Sequence, residues 1–135
     1  MNVHDQHRQK LWEIIESDFD GSRMNTTLWM AMFDVLKGLE LWWRIKLIDT
    51  PAVSQWTRSV SITYGPNFMP RGYFENPWSP TLMLAIEWIE VDPIAVRDKR
   101  DMSQEIERRL QSVSVPYTWK GPVICITGHV RRAVS

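Results

Sequence analysis

The sequence contains a single cysteine, Cys125, among 135 residues. One cysteine excludes an intramolecular disulfide and a zinc site built from several thiolates. Because Cys125 lies in the apolar run VICITG, we predict a buried thiol that packs in the interior rather than a nucleophile. A chain of this length buries roughly two-thirds of its extended surface, so it does not need covalent cross-links to be stable.

The sequence also has no excess charge of either sign, since 16 basic residues balance 16 acidic ones. Such a balance produces no strong overall field that attracts nucleic acid or a membrane surface. The apolar runs fall far short of the roughly 18 residues that cross a bilayer, and the polar start MNVHDQHRQK is unlike a signal peptide. We therefore expect a cytoplasmic protein that forms a single domain over residues 1–135, without nucleic-acid or membrane partners.

The motifs of common enzyme and cofactor sites are missing from the sequence. It has no GxxxxGK[ST] or GxGxxG loop for phosphate binding and no GxSxG turn for a serine nucleophile. His4 and His7 lie close together near the N-terminus, but no cysteine or closed ligand set accompanies them. We therefore predict no catalytic, metal-binding or cofactor-binding residues, and we expect that the protein is not an enzyme.

The sequence is instead rich in large contact-forming side chains, with eight tryptophans and seven methionines. Tryptophan and methionine supply large contact areas and are enriched at protein interfaces. Eight tryptophans exceed what a core of this size requires. One or two of them are therefore expected at the surface.

Hydrophobic periodicity predicts helices and strands in an alternating arrangement. Helices are predicted at 5–17, from a cap at Asn25 or Thr26 to Gly38, and after a capping box formed by Asp101 and Gln104. Strands are predicted at 42–49, 59–64 and 81–91 and in a terminal hairpin with arms near 116–120 and 123–130. This order is typical of an α+β fold, with a mainly antiparallel sheet of about five strands and two to three helices packed on it.

Two glutamates interrupt the apolar strand LMLAIEWIEV at 82–91. Glu87 and Glu90 are three residues apart, so in a regular strand they point to opposite faces and cannot form a catalytic pair. A buried Glu87 requires a cation, and Arg44 or Lys46 on a neighbouring strand can supply it. Glu90 and Asp92 share a face at the end of the strand, where we expect them to be exposed.

The segment GPNFMPRGYFENPWSP, residues 65–80, combines four prolines with several aromatic residues. The prolines prevent long regular structure, while the aromatic residues Phe68, Tyr73, Phe74 and Trp78 argue against disorder. Loops of this length in compact domains are usually functional or disordered. Two interpretations stay open, a lid packed on the core and a surface that contacts a partner.

Most of the chain from about residue 24 onward resembles a family of small, uncharacterised bacterial proteins that is described only as a domain of unknown function. The resembling segments are NTTLW (25–29), WWRIKLID (42–49), IEWIEV (86–91) and EIERRLQSVSVPYTWKGPVICITGHVRR (105–132). These motifs are structural, so the resemblance implies no active site. Small bacterial proteins of this kind in turn resemble immunity proteins of contact-dependent and polymorphic toxin systems, which need a rigid scaffold, aromatic anchors and charges complementary to the toxin.

The first hypothesis is therefore a cytoplasmic bacterial immunity protein that neutralises a cognate toxin by occluding it. Its predicted contact residues are Phe68, Tyr73, Phe74, Trp78, Glu90 and Asp92. One alternative is a small enzyme whose pocket contains His129, Glu87 and Arg44. Another is a homo-oligomer in which exposed tryptophans meet their symmetry mates.

Overall fold

The computed structural model describes residues 3–58, 63–64, 73–75 and 80–133. Within these ranges the helices are α1 (Val3–Asp18), α2 (Thr26–Leu36) and α3 (Ser103–Ser112). The strands are β1 (Phe19–Ser22), β2 (Trp42–Leu47), β3 (Thr57–Arg58), β4 (Thr63–Tyr64), β5 (Tyr73–Glu75), β6 (Pro80–Leu82), β7 (Ile86–Asp92), β8 (Thr118–Lys120), β9 (Val123–Thr127) and β10 (His129–Arg131).

The largest sheet has five strands in the order β3-β2-β7-β9-β8, and its pairings are antiparallel. A two-stranded sheet joins β1 to β10, and a three-stranded sheet has the order β4-β5-β6. The predicted α+β fold with a mainly antiparallel sheet is confirmed. The central strand of the largest sheet is β7, which carries both glutamates.

Helix α2 begins and ends where its sequence predicts. The Asn25 side chain accepts a hydrogen bond from the backbone N–H of Leu28 at 2.8 Å, and Gly38 takes a φ of 90° after the last turn. Its buried face stacks Trp29 on Phe33, and Phe33 in turn stacks on Trp43 of the sheet. This face forms a common core with α3 and one side of the sheet, whose buried members include Ile106, Leu110, Ile89, Val91, Ile124 and Ile126.

A second core lies under α1. Leu11 and Ile15 of the helix pack with residues from three other parts of the chain. These are Phe19 of β1, Ile48 directly after β2, and Leu82 and Ala85 at and just after the end of β6. Strand β1 was not predicted, because DFDGSR has one large apolar residue and therefore no alternation to detect. Phe19 alone anchors this strand, which pairs with β10.

The predicted continuous strand at 81–91 is wrong in its first half. A 3-10 turn at Met83–Ala85 separates β6 from β7, so the chain leaves one sheet and enters another. Ala85 packs under α1 while Ile86 packs in the core under α2 and α3, which requires a change of direction between them. Of the strand predicted at 59–64, residues 59–62 lie outside the described residues, and β4 forms the remainder.

The helices of the described segments have 16, 11 and 10 residues. None of them is both long and apolar enough to cross a membrane. The longest, α1, has 16 residues and carries charged side chains along its length. Its buried residues pack on the second core described above.

Candidate functional site

The five-stranded sheet has one face against α2 and α3 and a second, outer face that carries charged and aromatic side chains. Because side chains alternate along a strand, the buried Trp43 and Ile89 turn toward the helices while their neighbours turn away. We define the outer sheet face by Arg44 and Lys46 of β2, Glu87, Trp88 and Glu90 of β7, and Lys120 of β8. The side chain of Arg131, from β10, lies at the edge of this face, where it contacts Glu87.

Glu90 is held between cations from both sides of its strand. Arg44 donates through Nε to Oε1 of Glu90 at 2.5 Å, and Lys120 Nζ lies 3.8 Å from Oε2. The expectation that Glu90 is exposed is wrong, since the residue is buried. Glu90 is buried because its strand is central. Strands β9 and β8 extend the sheet beyond β7, so neighbouring strands flank this carboxylate on the side opposite Arg44 as well.

Glu87 is held in the same way by two other cations. Lys46 Nζ lies 3.1 Å from Oε1, and Arg131 donates from NH2 to the same oxygen at 2.7 Å. Burial raises the pKa of Glu87, but the hydrogen bonds from Arg131 and Lys46 outweigh it, so the pKa lies below its ordinary value of 4.5. The predicted ion pair with Lys46 is confirmed, whereas Arg131 was not predicted.

The ammonium group of Lys46 is fully engaged by the fold. Besides Glu87, it donates to the backbone carbonyls of Leu47 and Thr50, each at 3.0 Å. These three acceptors match the three hydrogens of an ammonium group. Lys46 is therefore a structural residue, which ties the end of β2 to the central strand.

A β-bulge places both carboxylates within reach of one face of β2. Lys46 pairs with Trp88 and the next residue, Leu47, pairs with Ile86, so Glu87 is the extra residue on β7. A bulge re-aims the side chain of its extra residue. The predicted opposition of Glu87 and Glu90 is therefore wrong, because cations from the same side of β2 bind both of them.

Two tryptophans lie against cations of this face. The Arg44 guanidinium carbon is 4.7 Å from the ring centroid of Trp56, and Lys120 Nζ is 5.3 Å from that of Trp88. Both distances are within the range of cation–π attraction. Three tryptophans are exposed among the described residues, namely Trp12, Trp56 and Trp119, whereas the sequence predicts one or two.

The structure does not assemble His129, Glu87 and Arg44 into a pocket with free polar groups. His129 is buried; its Nε2 lies 2.7 Å from the carbonyl oxygen of Leu84 and its Nδ1 lies 2.7 Å from Ser22 Oγ. A carbonyl only accepts, so Nε2 carries the proton and Nδ1 accepts from the serine hydroxyl. Both ring nitrogens are thus occupied, and Arg44 is paired with a different carboxylate, that of Glu90.

We expect His129 to stay neutral when the protein is folded at neutral pH. Burial lowers its pKa below the ordinary value of 6.5, against the opposing effects of the Leu84 carbonyl and Glu87. An NMR titration of the ring signals, assigned with a His129→Gln variant, measures this pKa directly. A midpoint at or above 6.5 for His129 would contradict the arrangement. Because the folded pKa is the lower one, its contribution to stability is present above 6.5 and lost as the pH falls below it.

The predicted contact residues fall into three groups. Phe68 and Trp78 lie outside the described residues. Tyr73 and Phe74 belong to β5, where their backbones pair with Leu82 and Thr81 of β6, and their side chains are not among those described. Asp92 is half-buried at the end of β7 and accepts a hydrogen bond from the N–H of Ile94 at 3.0 Å. The contact role of these residues stays a prediction.

Cys125 lies on β9 directly opposite Glu90. It is buried and forms no disulfide, which confirms the predicted position of the thiol. Burial also raises its pKa above the ordinary value of 9.0. Its thiol therefore remains protonated and unreactive at neutral pH.

An open cleft of about 260 Å³ lies elsewhere, between the end of α2 and the loop that precedes α3. Its central charged residue is Glu40, whose Oε2 lies 2.8 Å from Arg58 NH2 and 2.7 Å from Arg97 Nε. Glu40 is therefore compensated by two arginines of its own chain. The cleft was not predicted, since its walls come from segments far apart in sequence.

Comparison with known proteins gives one match. A family model described as a family of unknown function (DUF6678) matches residues 11–133. No curated protein and no solved structure matches the chain. The matched range begins within α1 and runs past β10, so it includes the whole outer sheet face.

Proposed function

The chain belongs to the family of unknown function DUF6678, and from this premise we propose that it is a protein-binding protein of the bacterial cytoplasm. In the specific form of the proposal, it is an immunity protein that occludes a cognate toxin. Occlusion requires a rigid surface with aromatic anchors and no catalytic group. The exposed tryptophans among the described residues support the proposal as candidate anchors.

The observation that carries the proposal is the position of the exposed indoles at the two edges of one sheet. Trp56 lies just before β3, one edge strand, against Arg44 of the outer sheet face. Trp119 lies in β8, the other edge strand, where its pairing with Ile124 turns it toward the helix side of the sheet. A large apolar ring left in water loses roughly 1.5–3 kcal/mol of hydrophobic stabilisation, which a partner that covers it restores. Tryptophan and arginine are the residues most enriched among binding hot spots, and Arg44 lies against Trp56.

The polar groups of the alternative enzyme pocket support binding rather than catalysis. His129, Glu87 and Arg44 are each engaged by fixed partners within the fold. A general base needs a free nitrogen or oxygen within reach of its substrate. We propose the immunity function because small bacterial proteins of this kind resemble immunity proteins. The exposed tryptophans at the sheet edges are side chains that such a function can use.

The first test is affinity capture from the native host with tagged protein. We expect the wild type to retain one polypeptide, and a Trp56→Ala/Trp119→Ala double variant to retain about tenfold less or worse, because loss of a single hot spot costs more than about 1.4 kcal/mol. Trp12→Ala is the matched control, since Trp12 is also exposed but belongs to α1 and not to the five-stranded sheet. A Tyr73→Ala/Phe74→Ala/Trp78→Ala variant tests the contact residues predicted from the sequence.

The retained polypeptide then decides between the forms of the proposal. If the chain is an immunity protein, expression of the retained polypeptide alone inhibits growth, and co-expression of the wild-type chain restores growth. A retained polypeptide that is harmless contradicts the immunity function but leaves protein binding in place. Retention of this same chain alone indicates a homo-oligomer. If the wild type retains nothing, the proposal fails.

A further inference from the structure

We propose that the outer sheet face is the surface that binds the partner protein, and that the partner presents acidic side chains to it. This inference rests on the proposed function, since it names the surface and the chemistry of the same binding event. It follows from how cations and carboxylates are arranged across and beneath this face.

Each glutamate of the central strand lies between two cations from different strands. Glu90 has Arg44 on one side and Lys120 on the other. Glu87 has Lys46 on one side and Arg131 on the other. Four cations therefore accompany two carboxylates.

The carboxylates lie deep and their cations lie near the surface. The side chains of Glu87 and Glu90 are 10% and 5% exposed. Those of Arg44, Arg131 and Lys120 are 36%, 48% and 57% exposed, whereas Lys46 is 16% exposed. A molecule that approaches this face therefore meets positive charge first.

The exposure of the cations, and not a surplus of charge, makes this face positive toward a partner. Arg44 donates to one oxygen of Glu90, while the ammonium group of Lys120 stays 3.8 Å from the other oxygen and is more exposed. Lys46 and Arg131 both contact Oε1 of Glu87, and Arg131 is the more exposed of the two. Among the described residues, the four cations are balanced by Glu87, Glu90, the half-buried Asp92 at the end of β7 and Asp18, which interacts electrostatically with Arg131.

The aromatic rings fix the cations in place and add apolar contact area. Arg44 stacks over Trp56, and Lys120 lies over Trp88. A cation held against a ring loses less conformational entropy when a carboxylate binds it. Arginine can also bind a carboxylate through two parallel hydrogen bonds, which makes the contact specific in direction.

Acidic protein side chains fit this face better than the phosphates of a nucleic acid. The cations are few, each lies close to a carboxylate, and the chain has no net charge to attract a polyanion from a distance. Separate carboxylates on a partner protein can meet separate cations. A single-stranded nucleic acid, which would use the same rings for base stacking, is the alternative that the experiment must exclude.

The experiment measures binding of short synthetic probes by the intrinsic tryptophan fluorescence of the full chain. The probes are polyglutamate, polylysine and oligothymidylate. The test variant is Lys120→Gln/Arg131→Gln, which removes the two most exposed cations of this face. The control is Arg100→Gln/Arg108→Gln, which removes the same charge from two exposed, ion-paired arginines elsewhere.

We expect the wild type to bind polyglutamate, more weakly as salt rises, and to bind it in preference to oligothymidylate. The test variant should bind about tenfold more weakly, and the control should stay within about twofold of the wild type. Equal weakening of both variants, preference for oligothymidylate or polylysine, or no binding of polyglutamate would each overturn the inference.

The same variants separate this inference from the proposed function in the capture experiment. If Lys120→Gln/Arg131→Gln retains the partner as well as wild type while Trp56→Ala/Trp119→Ala loses it, the partner binds but not through acidic contacts on this face. If the wild type captures nothing yet binds polyglutamate as expected, the proposed function fails and the acidic preference of the face stands. Loss of the partner by both variants supports both proposals.

Discussion

Replacement of Gly128 by alanine is expected to destabilise the protein by about 3 kcal/mol or more. A Cβ atom at this position would lie 2.2 Å from the carbonyl oxygen of Ile86, with Trp29 and the Glu87 carbonyl also in close contact. The nearest atom is backbone of the central strand, so no side-chain rotation relieves the clash. Denaturant unfolding of wild type and Gly128→Ala measures the loss.

The site of this clash explains why its effect is large. The N–H of Gly128 donates to the Glu87 carbonyl at 2.6 Å, and its own carbonyl accepts from the N–H of Arg23 at 2.9 Å. Gly128 therefore connects the five-stranded sheet to the turn that leads into α2. Any shift that makes room for a methyl group breaks one of these hydrogen bonds or moves Trp29 in the core.

Gly21→Ala is the matched control. Gly21 lies in β1, and nothing lies within 4 Å of a Cβ built on it. We expect its stability to change by less than about 0.5 kcal/mol, as for most surface substitutions. If the Gly128→Ala protein unfolds at the same denaturant concentration as this control, Gly128 does not lie so close to the Ile86 carbonyl of β7.

The sequence predicted the elements whose signal is local. Helix α2 has a side chain that caps it, a periodic apolar stripe and a glycine that ends it, all within 25–38. Strand β2 packs Trp43, Ile45 and Leu47 on the core, while Arg44 and Lys46 between them bind the glutamates of the outer face. For these elements, neighbours in sequence carry the information, and the structure follows it.

The candidate site could be predicted only in part, because its geometry depends on pairing between distant strands. The bulge at Glu87 follows from the register of β7 against β2, which no local pattern reveals. Arg131 reaches Glu87 from β10, and β10 is positioned by β1, a strand with a single apolar anchor. The local pattern therefore predicts a regular strand with the two glutamates on opposite faces.

Glu87→Gln is expected to destabilise the protein by about 1–3 kcal/mol near neutral pH. The glutamine has the same shape but carries no charge, so the largely buried ammonium of Lys46 loses its counter-ion. Arg131 is half exposed and can turn to solvent, so most of the loss comes from Lys46. Asp20→Asn, which breaks an exposed ion pair with Arg132, is the control and should cost less than about 0.5 kcal/mol.

The dependence of this loss on pH identifies the ion pair as its cause. Since the pKa of Glu87 in the folded protein lies below 4.5, its contribution to stability is complete above 4.5 and disappears as the pH falls through the folded pKa. The difference in unfolding free energy between wild type and Glu87→Gln should therefore be constant above this range and shrink below it, where the glutamate itself becomes protonated. A difference that persists unchanged in acid would assign the effect to packing, and identical unfolding curves near neutral pH would show that Lys46 does not depend on this carboxylate.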